Sequence, residues 1–230
     1  MPDTTKTNQT DNRLLAALPN KVFQQLEAKL EPFELIYNTD VYAPGDVIEH
    51  VYFPERGIIS LLAVVGKDST LEVGIVGDEG MIGISVFLGE TKTNTRAVVQ
   101  GAGFALRMTA ADFIGEIEKS SDLQRILKKF TFSLMTQIAQ SAACNRYHPI
   151  DARLARWLMM TSDRMKSDEF QVTQEFLSNM IGVRREAVNK AASDFQHRGL
   201  ISYMRGNLSI LKPKELEALA CTCYEIIKSH

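Results

Sequence analysis

The stretch that decides the fold runs from Thr173 to Ile201 and reads TQEFLSNMIGVRREAVNKAASDFQHRGLI. Thr173 suits the N-cap of a helix whose apolar side chains recur at helical spacing, namely Phe176, Leu177, Met180 and Ile181. Gly182 then supplies a turn, and Val183 begins a second helix with an inward face of Ala187, Val188, Ala191, Ala192 and Phe195. This spacing predicts a helix-turn-helix, in which the second helix enters the major groove of DNA.

The polar side of the second helix carries the groups that recognise base edges: Arg184, Arg185, Glu186, Asn189 and Lys190. An arginine can donate two hydrogen bonds to guanine, and a glutamate can accept one from cytosine. A charged run is usually a solvated face, but this one coincides with the helix that enters the groove. We therefore predict that these five side chains read bases.

The segment GLISYMRGNLSILKP, residues 199–213, predicts a hairpin next to the second helix. Gly206-Asn207 suits a tight turn between two short strands, and such a hairpin is the wing of a winged helix. Arg205 at its tip is expected to contact phosphate, which adds affinity without reading sequence.

Residues 1–12 lack periodicity and predict a disordered tail, and the region 14–30 predicts two short helices separated at Pro19-Asn20. Between Glu34 and Met108, turn signals such as Ala-Pro-Gly-Asp, Pro-Glu-Arg-Gly and Gly-Asp-Glu-Gly cut short apolar runs. Such regular punctuation is typical of a β-sandwich or barrel. The following TRAVVQGAGFALRMT predicts two more strands around Gly101 and Gly103.

From Asp112 to Arg146 an apolar stripe predicts one long helix from about Leu123, preceded by a shorter one. The stripe consists of Ile117, Leu123, Ile126, Leu127, Phe130, Leu134, Ile138 and Ala142. A long helix beside a small β domain favours a two-helix homodimer contact. The alternative is that the helix packs on its own chain.

Charge and composition bound the partners. The chain of 230 residues has a net charge of −2, but residues 1–110 carry 9 basic and 14 acidic side chains, against 17 and 14 in residues 111–230. A polyanion would therefore bind the second half. No run approaches the roughly 20 apolar residues of a membrane span, the start lacks a secretory signal, and three cysteines suit a reducing compartment, so we expect a cytoplasmic protein.

The order of β-roll, long helix and winged helix-turn-helix resembles the Crp/Fnr family of bacterial transcription regulators. The stretches VYAPGDVIEHVYFPERGIISLL, GDEGMIG, RLARWLM and TQEFLSNMIGVRREAV carry the resemblance, which runs from Leu14 to Tyr224. It implies an α+β fold with an N-terminal cyclic-nucleotide-binding-like jelly roll (13–122), a dimerisation helix (123–147) and a C-terminal winged helix-turn-helix (148–230). It also implies a homodimer that binds palindromic promoter DNA and acts on RNA polymerase.

Carried over by residue, the family's base-reading positions fall on Arg185, Glu186 and Lys190, with Arg184 beside them, and Thr173 and Gln174 lie at phosphates. Its effector pocket falls on Gly80, Met81, Gly83, Arg96 and Ala97. Members that bind cyclic AMP have a glutamate where this chain has Met81, Arg-Ser where it has Arg96-Ala97, and Thr-Ser where it has Ile138-Ala139. Only the arginine matches, which argues against classical cyclic AMP binding and for another small-molecule effector or none. Arg96 either binds another anion or pairs with an acidic neighbour.

No cofactor is expected. The region before Leu30 has no cysteine, so the N-terminal iron–sulfur cluster of some relatives is excluded. Cys144 and His148 lie four residues apart, and Cys221 and Cys223 lie near His230. Two close ligands are not four, so we expect ordinary buried thiols there and no metal site. His50 is expected to be an ordinary histidine rather than a haem ligand.

Two functions from different classes remain open at this point. The first is a sequence-specific DNA-binding regulator. The second is an effector-binding or interaction protein whose winged helix no longer reads DNA. An enzyme is not expected, because the sequence offers no nucleophile–base arrangement, phosphate loop or complete metal motif.

Overall fold

The computed structural model describes residues 9–65 and 69–229. Two short helices and five strands come first: α1 (Arg13–Ala16), α2 (Asn20–Glu27), β1 (Glu31–Leu35), β2 (Asp40–Tyr42), β3 (His50–Val65), β4 (Ser69–Val76) and β5 (Thr95–Thr109). Helices and a small sheet follow: α3 (Ala110–Lys119), α4 (Ser121–Tyr147), α5 (Ile150–Met165), β6 (Glu169–Gln171), α6 (Gln174–Ile181), α7 (Arg185–His197), β7 (Ile201–Met204), β8 (Asn207–Ile210), α8 (Pro213–Glu217) and α9 (Cys223–Lys228). The predicted α+β class, with a β-roll before a long helix and a winged helix-turn-helix, is confirmed.

The first sheet has the strand order β1-β5-β3-β4, and β2 also pairs with β5. Strands β1 and β2 run antiparallel to β5, with Phe33 opposite Ala105. A core of buried side chains lies beside these strands, and Leu15, Phe53 and Phe113 are fully buried in it. The two predicted helices before the sheet contribute to this core through Leu15 and Phe23.

Two predicted interruptions of the sheet are wrong, because the glycines lie within strands. Strand β3 continues through Pro54 to Gly57, and β5 is one strand rather than two around Gly101 and Gly103. Gly57 has a φ of 94°, and a Cβ on it would lie 2.6 Å from the Gly101 carbonyl oxygen. A Cβ on Gly103 would likewise overlap the Arg56 carbonyl. These glycines permit close backbone approach between β3 and β5.

The predicted disordered tail needs correction at its end. Residues 1–8 lie outside the described part of the chain. Asn12, however, is fully buried, and its side-chain amide donates to the carbonyl oxygens of Pro54 and Gly80 at 2.8 and 2.9 Å. Its Oδ1 also accepts from the Leu15 amide and caps α1. A polar residue can be buried here because its hydrogen-bonding groups are used.

The described chain divides into two compact units. The first contains the described residues up to Ile59 together with Val76–Phe132, and the second contains Ser60–Ile75 and the chain from Ser133 onward. The end of the β3–β4 hairpin therefore belongs with the carboxy-terminal elements. The sequence predicts it within the jelly roll of residues 13–122.

The long helix α4 and the shorter α3 before it confirm the predicted pair of helices. Most of the apolar stripe read from the sequence faces inward, and Leu123, Leu127 and Leu134 are buried, whereas Ile138 and Ala142 at its end are exposed. Leu123 and Leu127 join the core beside the first sheet. For these residues the alternative holds, in which α4 packs on its own chain.

Within the second unit, the hairpin end contacts α4 and the turn after α6. The Gln137 side chain accepts from the Ile75 amide at 2.5 Å and donates to the Ile75 carbonyl at 3.2 Å. Leu71 occupies the space where a Cβ on Gly182 would lie. Glu72 is buried and accepts a hydrogen bond from the Ser60 hydroxyl at 2.8 Å.

Burial raises the pKa of Glu72 to about 7, against the lowering effects of the Ser60 hydrogen bond and of the charges of Arg156 and Arg164. An unfolded glutamate titrates near 4.5. Between these values the folded state holds a proton that the unfolded state has released. This carboxyl therefore contributes a loss of stability as pH rises from about 4.5 to 7.

We predict that Glu72→Gln removes this pH dependence. The stability of the variant relative to the natural chain should rise by roughly 3 kcal/mol between about pH 5 and 8. Urea unfolding across that range measures the difference, and Glu118→Gln, at an exposed position of α3, is the control. A constant difference between Glu72→Gln and the natural chain would contradict the buried, proton-binding carboxyl.

Candidate nucleic-acid interface

Helices α6 and α7 form the predicted helix-turn-helix. The Thr173 hydroxyl oxygen accepts from the Phe176 amide at 3.1 Å and so caps α6. Gly182 ends that helix in the left-handed conformation, with a φ of 67°, and its amide donates to the Ser178 carbonyl at 2.9 Å. The second helix begins at Arg185, two residues later than predicted, with Arg184 as its N-cap.

Arg153 of α5 contacts the turn between α6 and α7. Its guanidinium donates to the Ile181 carbonyl oxygen at the last residue of α6. Arg153 is only 6% exposed, and α5 is buried from Arg153 to Ser162. A surface helix with one apolar face usually leaves its arginines in solvent. The carbonyls left unpaired at the end of a helix explain why a buried arginine is accommodated.

Helix α7 separates its two faces as predicted. Val188, Ala192 and Phe195 are buried, while the side chains named as base readers at 184, 185, 186 and 190 are exposed. Among the ion pairs of residues 9–65 and 69–229, none engages Arg184, Arg185 or Lys190. Their charges are directed to solvent, where a polyanion can reach them.

Asn189 differs from its neighbours on α7. Its residue is half-buried, and its Oδ1 is buried without a hydrogen-bond partner within the described chain. A pairing with adenine requires both the oxygen and the amino group of the asparagine side chain. Asn189 is therefore the least accessible of the five predicted base readers.

The wing is present, and its two-residue turn lies at Arg205-Gly206, one residue earlier than the predicted Gly206-Asn207. Arg205 and Gly206 join β7 to β8 and have φ values of 52° and 81°, so both adopt the left-handed conformation of a two-residue hairpin turn. A third strand, β6, pairs with β8 and was not predicted. The three strands have the order β6-β8-β7.

The wing tip is tied to the start of α6. The Val172 amide donates to the Gly206 carbonyl at 2.8 Å, and the Tyr203 hydroxyl donates to the Val172 carbonyl at 2.9 Å. Tyr203 was missed from the sequence, because its role depends on a contact between residues 31 positions apart. It fixes the wing beside the N-terminus of α6.

An open hollow on this surface brings half of the predicted DNA contacts together. It is lined by Thr173, Gln174, Arg185, Tyr203, Arg205 and Gly206. The Arg185 guanidinium lies 3.5 Å from the Gln174 side-chain oxygen, at the long end of hydrogen bonding. The three predicted phosphate contacts and one predicted base reader thus surround one concave, cationic surface.

The predicted effector residues lie in the first unit, and two of them are fully buried. Met81 and Ala97 are fully buried, and Met81 belongs to the core beside the first sheet. A Cβ on Gly80 would overlap the Phe130 ring, and Gly83 adopts a φ of 90° at the following turn. Arg96 lies 2.8 Å from a carboxylate oxygen of Asp40, so it has the acidic neighbour considered from the sequence.

Comparison with known proteins matches residues 152–219 to the family model of the Crp-like helix-turn-helix domain. The chain is also 28% identical, over 193 residues, to a CRP-like cAMP-activated global transcriptional regulator of Mycobacterium tuberculosis, covering 76% of this chain and 82% of that protein. The matched domain and this relative support a regulator of the Crp/Fnr family. The chain is thus a Crp-like transcription regulator with a helix-turn-helix DNA-binding domain, and the family consists of regulators rather than enzymes.

Solved structures confirm the fold. A protein of Eubacterium rectale assigned to the Crp/Fnr family superimposes with a TM-score of 0.70 at 16% identity, over 91% of this chain and 98% of its own. The c-di-GMP responsive global regulator CLP of Xanthomonas campestris gives 0.67 at 17% identity, over 84% of this chain and 99% of its own. No helix in the described ranges has the length and apolar character required to cross a membrane.

Proposed function

We propose that this Crp/Fnr protein binds a palindromic promoter site as a homodimer and reads it through the first turns of α7. The observation that carries the proposal is the exposed cationic start of α7, framed by the N-terminus of α6 and the wing tip. Because these three elements are joined by hydrogen bonds, they present donors to one stretch of duplex as a rigid surface. We further propose that it acts on RNA polymerase at the promoter and works in the cytoplasm.

Base recognition is assigned first to Arg185 and Glu186. Both are exposed at the N-terminal turn of α7, which is the part of a recognition helix that reaches base edges. Arg185 offers two donors to guanine, and Glu186 offers an acceptor to the amino group of cytosine. Arg184 and Lys190 flank them with further donors.

Phosphate contacts are assigned to Thr173, Gln174 and Arg205. Thr173 caps α6 and lines the same hollow as Gln174 and Arg205. Gln174 is the first residue of α6, where the amides and the helix dipole favour an anion. Arg205 is exposed at the wing tip. These contacts set affinity and register rather than sequence.

The sensory unit is proposed to respond to an effector other than cyclic AMP, or to none. Cyclic AMP would need hydrogen-bonding groups at positions 81 and 97, and both hold buried apolar side chains. The remaining cation, Arg96, is engaged by Asp40. Each missing hydrogen bond would cost about 0.5–3 kcal/mol of binding energy, depending on charge.

Dimerisation is assigned to the outer face of α4, which shares only Ala142 with the stripe predicted from the sequence. Exposed side chains recur there with alternating spacings of three and four: Arg125, Lys128, Phe132, Met135, Ala139, Ala142 and Arg146. Phe132 and Met135 are 66% and 63% exposed. A seven-residue repeat with apolar residues at its centre and charges at its ends is typical of a two-helix coiled coil.

We predict that Arg185→Ala relaxes base preference, whereas Arg205→Ala weakens binding uniformly. After selection of a preferred duplex from a random library, Arg185→Ala should lose about 1–3 kcal/mol of discrimination at one position of each half-site. Arg205→Ala should instead lower the slope of log affinity against log salt by about 1 for each half-site, with the preference unchanged.

Gel-shift titrations at several salt concentrations measure both quantities. Arg198→Ala is the control, because Arg198 lies at the opposite end of α7 and pairs with Asp194 at 3.4 Å. An unaltered selected sequence for Arg185→Ala would refute the base-reading assignment. Loss of discrimination in Arg198→Ala would show that general destabilisation of α7 is responsible.

We predict that Met135→Glu dissociates the homodimer. Two glutamates facing each other in an apolar seam would be desolvated beside a like charge, and the association constant should fall by more than about tenfold, equivalent to 1.4 kcal/mol. Sedimentation equilibrium measures this change, with Gln25→Glu on the exposed face of α2 as the control. A natural chain that sediments as a monomer, or a Met135→Glu dimer of unchanged affinity, would contradict the assignment.

A further inference from the structure

All three cysteines of the chain converge on one place in the second unit. Cys144 lies near the end of α4, Cys221 lies between α8 and α9, and Cys223 begins α9. The ligand atoms of these cysteines and of His148 all lie within 4.8 Å of one another. No pattern in the sequence required this, since the two pairs are more than 70 residues apart.

We propose that Cys144, His148, Cys221 and Cys223 form a tetrahedral site for a zinc-class divalent metal ion. Three cysteines and one histidine are a usual ligand set for structural zinc, and four protein ligands close such a site. The site is independent of the effector residues and goes beyond DNA recognition, because it assigns a metal to the carboxy-terminal part of the chain. It replaces our expectation that these residues are ordinary buried thiols.

The distances suit such a site. The sulfurs of Cys144 and Cys221 are 3.4 Å apart, and the Cys223 sulfur is 3.4 Å from Nδ1 of His148. With metal–ligand bonds of about 2.0–2.3 Å, the edges of a tetrahedron measure roughly 3.4–3.8 Å. The widest separation in the cluster therefore needs to shorten by about 1 Å when metal binds.

The surroundings favour thiolate ligands. All three cysteines are buried, so the site excludes water, and the Gln140 amide donates to the Cys223 sulfur at 3.0 Å. Such outer hydrogen bonds orient sulfur ligands around a metal. His148 is half-buried and lies at the rim, four residues after Cys144, so one turn of chain brings both ligands to the same side of the site.

The bound state also has cations close to its negative charge. Three thiolates, a neutral imidazole and a divalent ion carry a net charge of −1. Arg153 interacts electrostatically with Cys144 and Cys221, and Arg156 interacts with Cys144. Both arginines are more than nine-tenths buried, and the Nε of each lacks a hydrogen-bond partner within the described chain. Buried cations of this kind are stabilised by a neighbouring anionic site.

The position of the site indicates what the metal does. It joins the end of α4 to the segment between α8 and α9, and both of these helices are short. Arg153, beside the cluster, also bonds the Ile181 carbonyl at the helix-turn-helix. A metal would therefore act as a structural staple next to the arginine that supports the turn, in the way that small metal sites add folding energy.

The test uses the full-length chain purified with reduced thiols, in zinc-supplemented culture and after titration with Co²⁺ alone. We expect about one zinc ion per chain by mass spectrometry of metals. Bound Co²⁺ should show the intense visible ligand-field bands of tetrahedral coordination and the near-ultraviolet charge-transfer bands of thiolate ligands. Competition with a chelator then gives the affinity.

Cys221→Ser and His148→Gln should each lower the affinity for Co²⁺ by more than roughly 100-fold, because loss of even an outer-shell partner costs 10–100-fold. His50→Gln, in the other unit, should leave it unchanged. Should the variants fail to fold, the spectrum and metal content of the natural chain decide the matter. The proposal is overturned if the reduced natural chain binds no stoichiometric Co²⁺, if binding persists in Cys221→Ser, or if intact mass shows a Cys144–Cys221 disulfide that reforms in preference to metal binding.

Discussion

The rest of the DNA-binding unit depends on how the chain turns at Gly182. The left-handed φ of this residue directs α7 away from α6, and the Arg153 guanidinium holds the carbonyl immediately before it. A side chain at position 182 would be excluded twice, by its backbone conformation and by Leu71, which fills the space above it. Because α7 leaves the turn in one direction, its apolar face packs inward and its charged first turn faces solvent. A recognition helix needs this definition, since its side chains must meet base edges within hydrogen-bonding distance.

Helix α5 connects this turn to its neighbours. It packs against α6, α7, α8 and α9, and its middle is buried on all sides. Two buried arginines on α5 make these connections. Arg153 lies at the helix-turn-helix and beside the cysteine cluster, and the charge of Arg156 acts on both Cys144 and Glu72. The hairpin end, the cysteines and the turn before α7 therefore lie around two buried cations on one helix. A change in charge at the cysteine cluster would act directly on Arg153, the side chain that supports the turn.

The sequence predicted most of the framework, and the reasons it failed elsewhere are physical. Helical periodicity located α3, α4, α6 and α7, and the Thr173 cap and Gly182 marked the turn, because these signals are local. Glycines misled us in β3 and β5, since close strand approach and a turn require the same residue type. Most of the stripe on α4 faced the core, and the outer face at Phe132 and Met135 could be identified only once burial was known. The roles of Tyr203 and of the cluster of three cysteines and His148 depend on contacts between residues far apart in the chain. Local spacing in the sequence does not predict such contacts. Arg153 is buried because it bonds the Ile181 carbonyl oxygen, a contact that the sequence does not predict.

The most direct test of the account is methylation interference on the duplex selected by the purified chain. Dimethyl sulfate modifies guanine at N7 in the major groove and adenine at N3 in the minor groove. If α7 reads guanine through Arg185, methylated guanines should be excluded from the bound DNA in two symmetric clusters, about 10–10.5 base pairs apart or a multiple of that spacing. Bound DNA that tolerates guanine methylation throughout, or is disturbed only at adenine N3, would show that this helix does not enter the major groove.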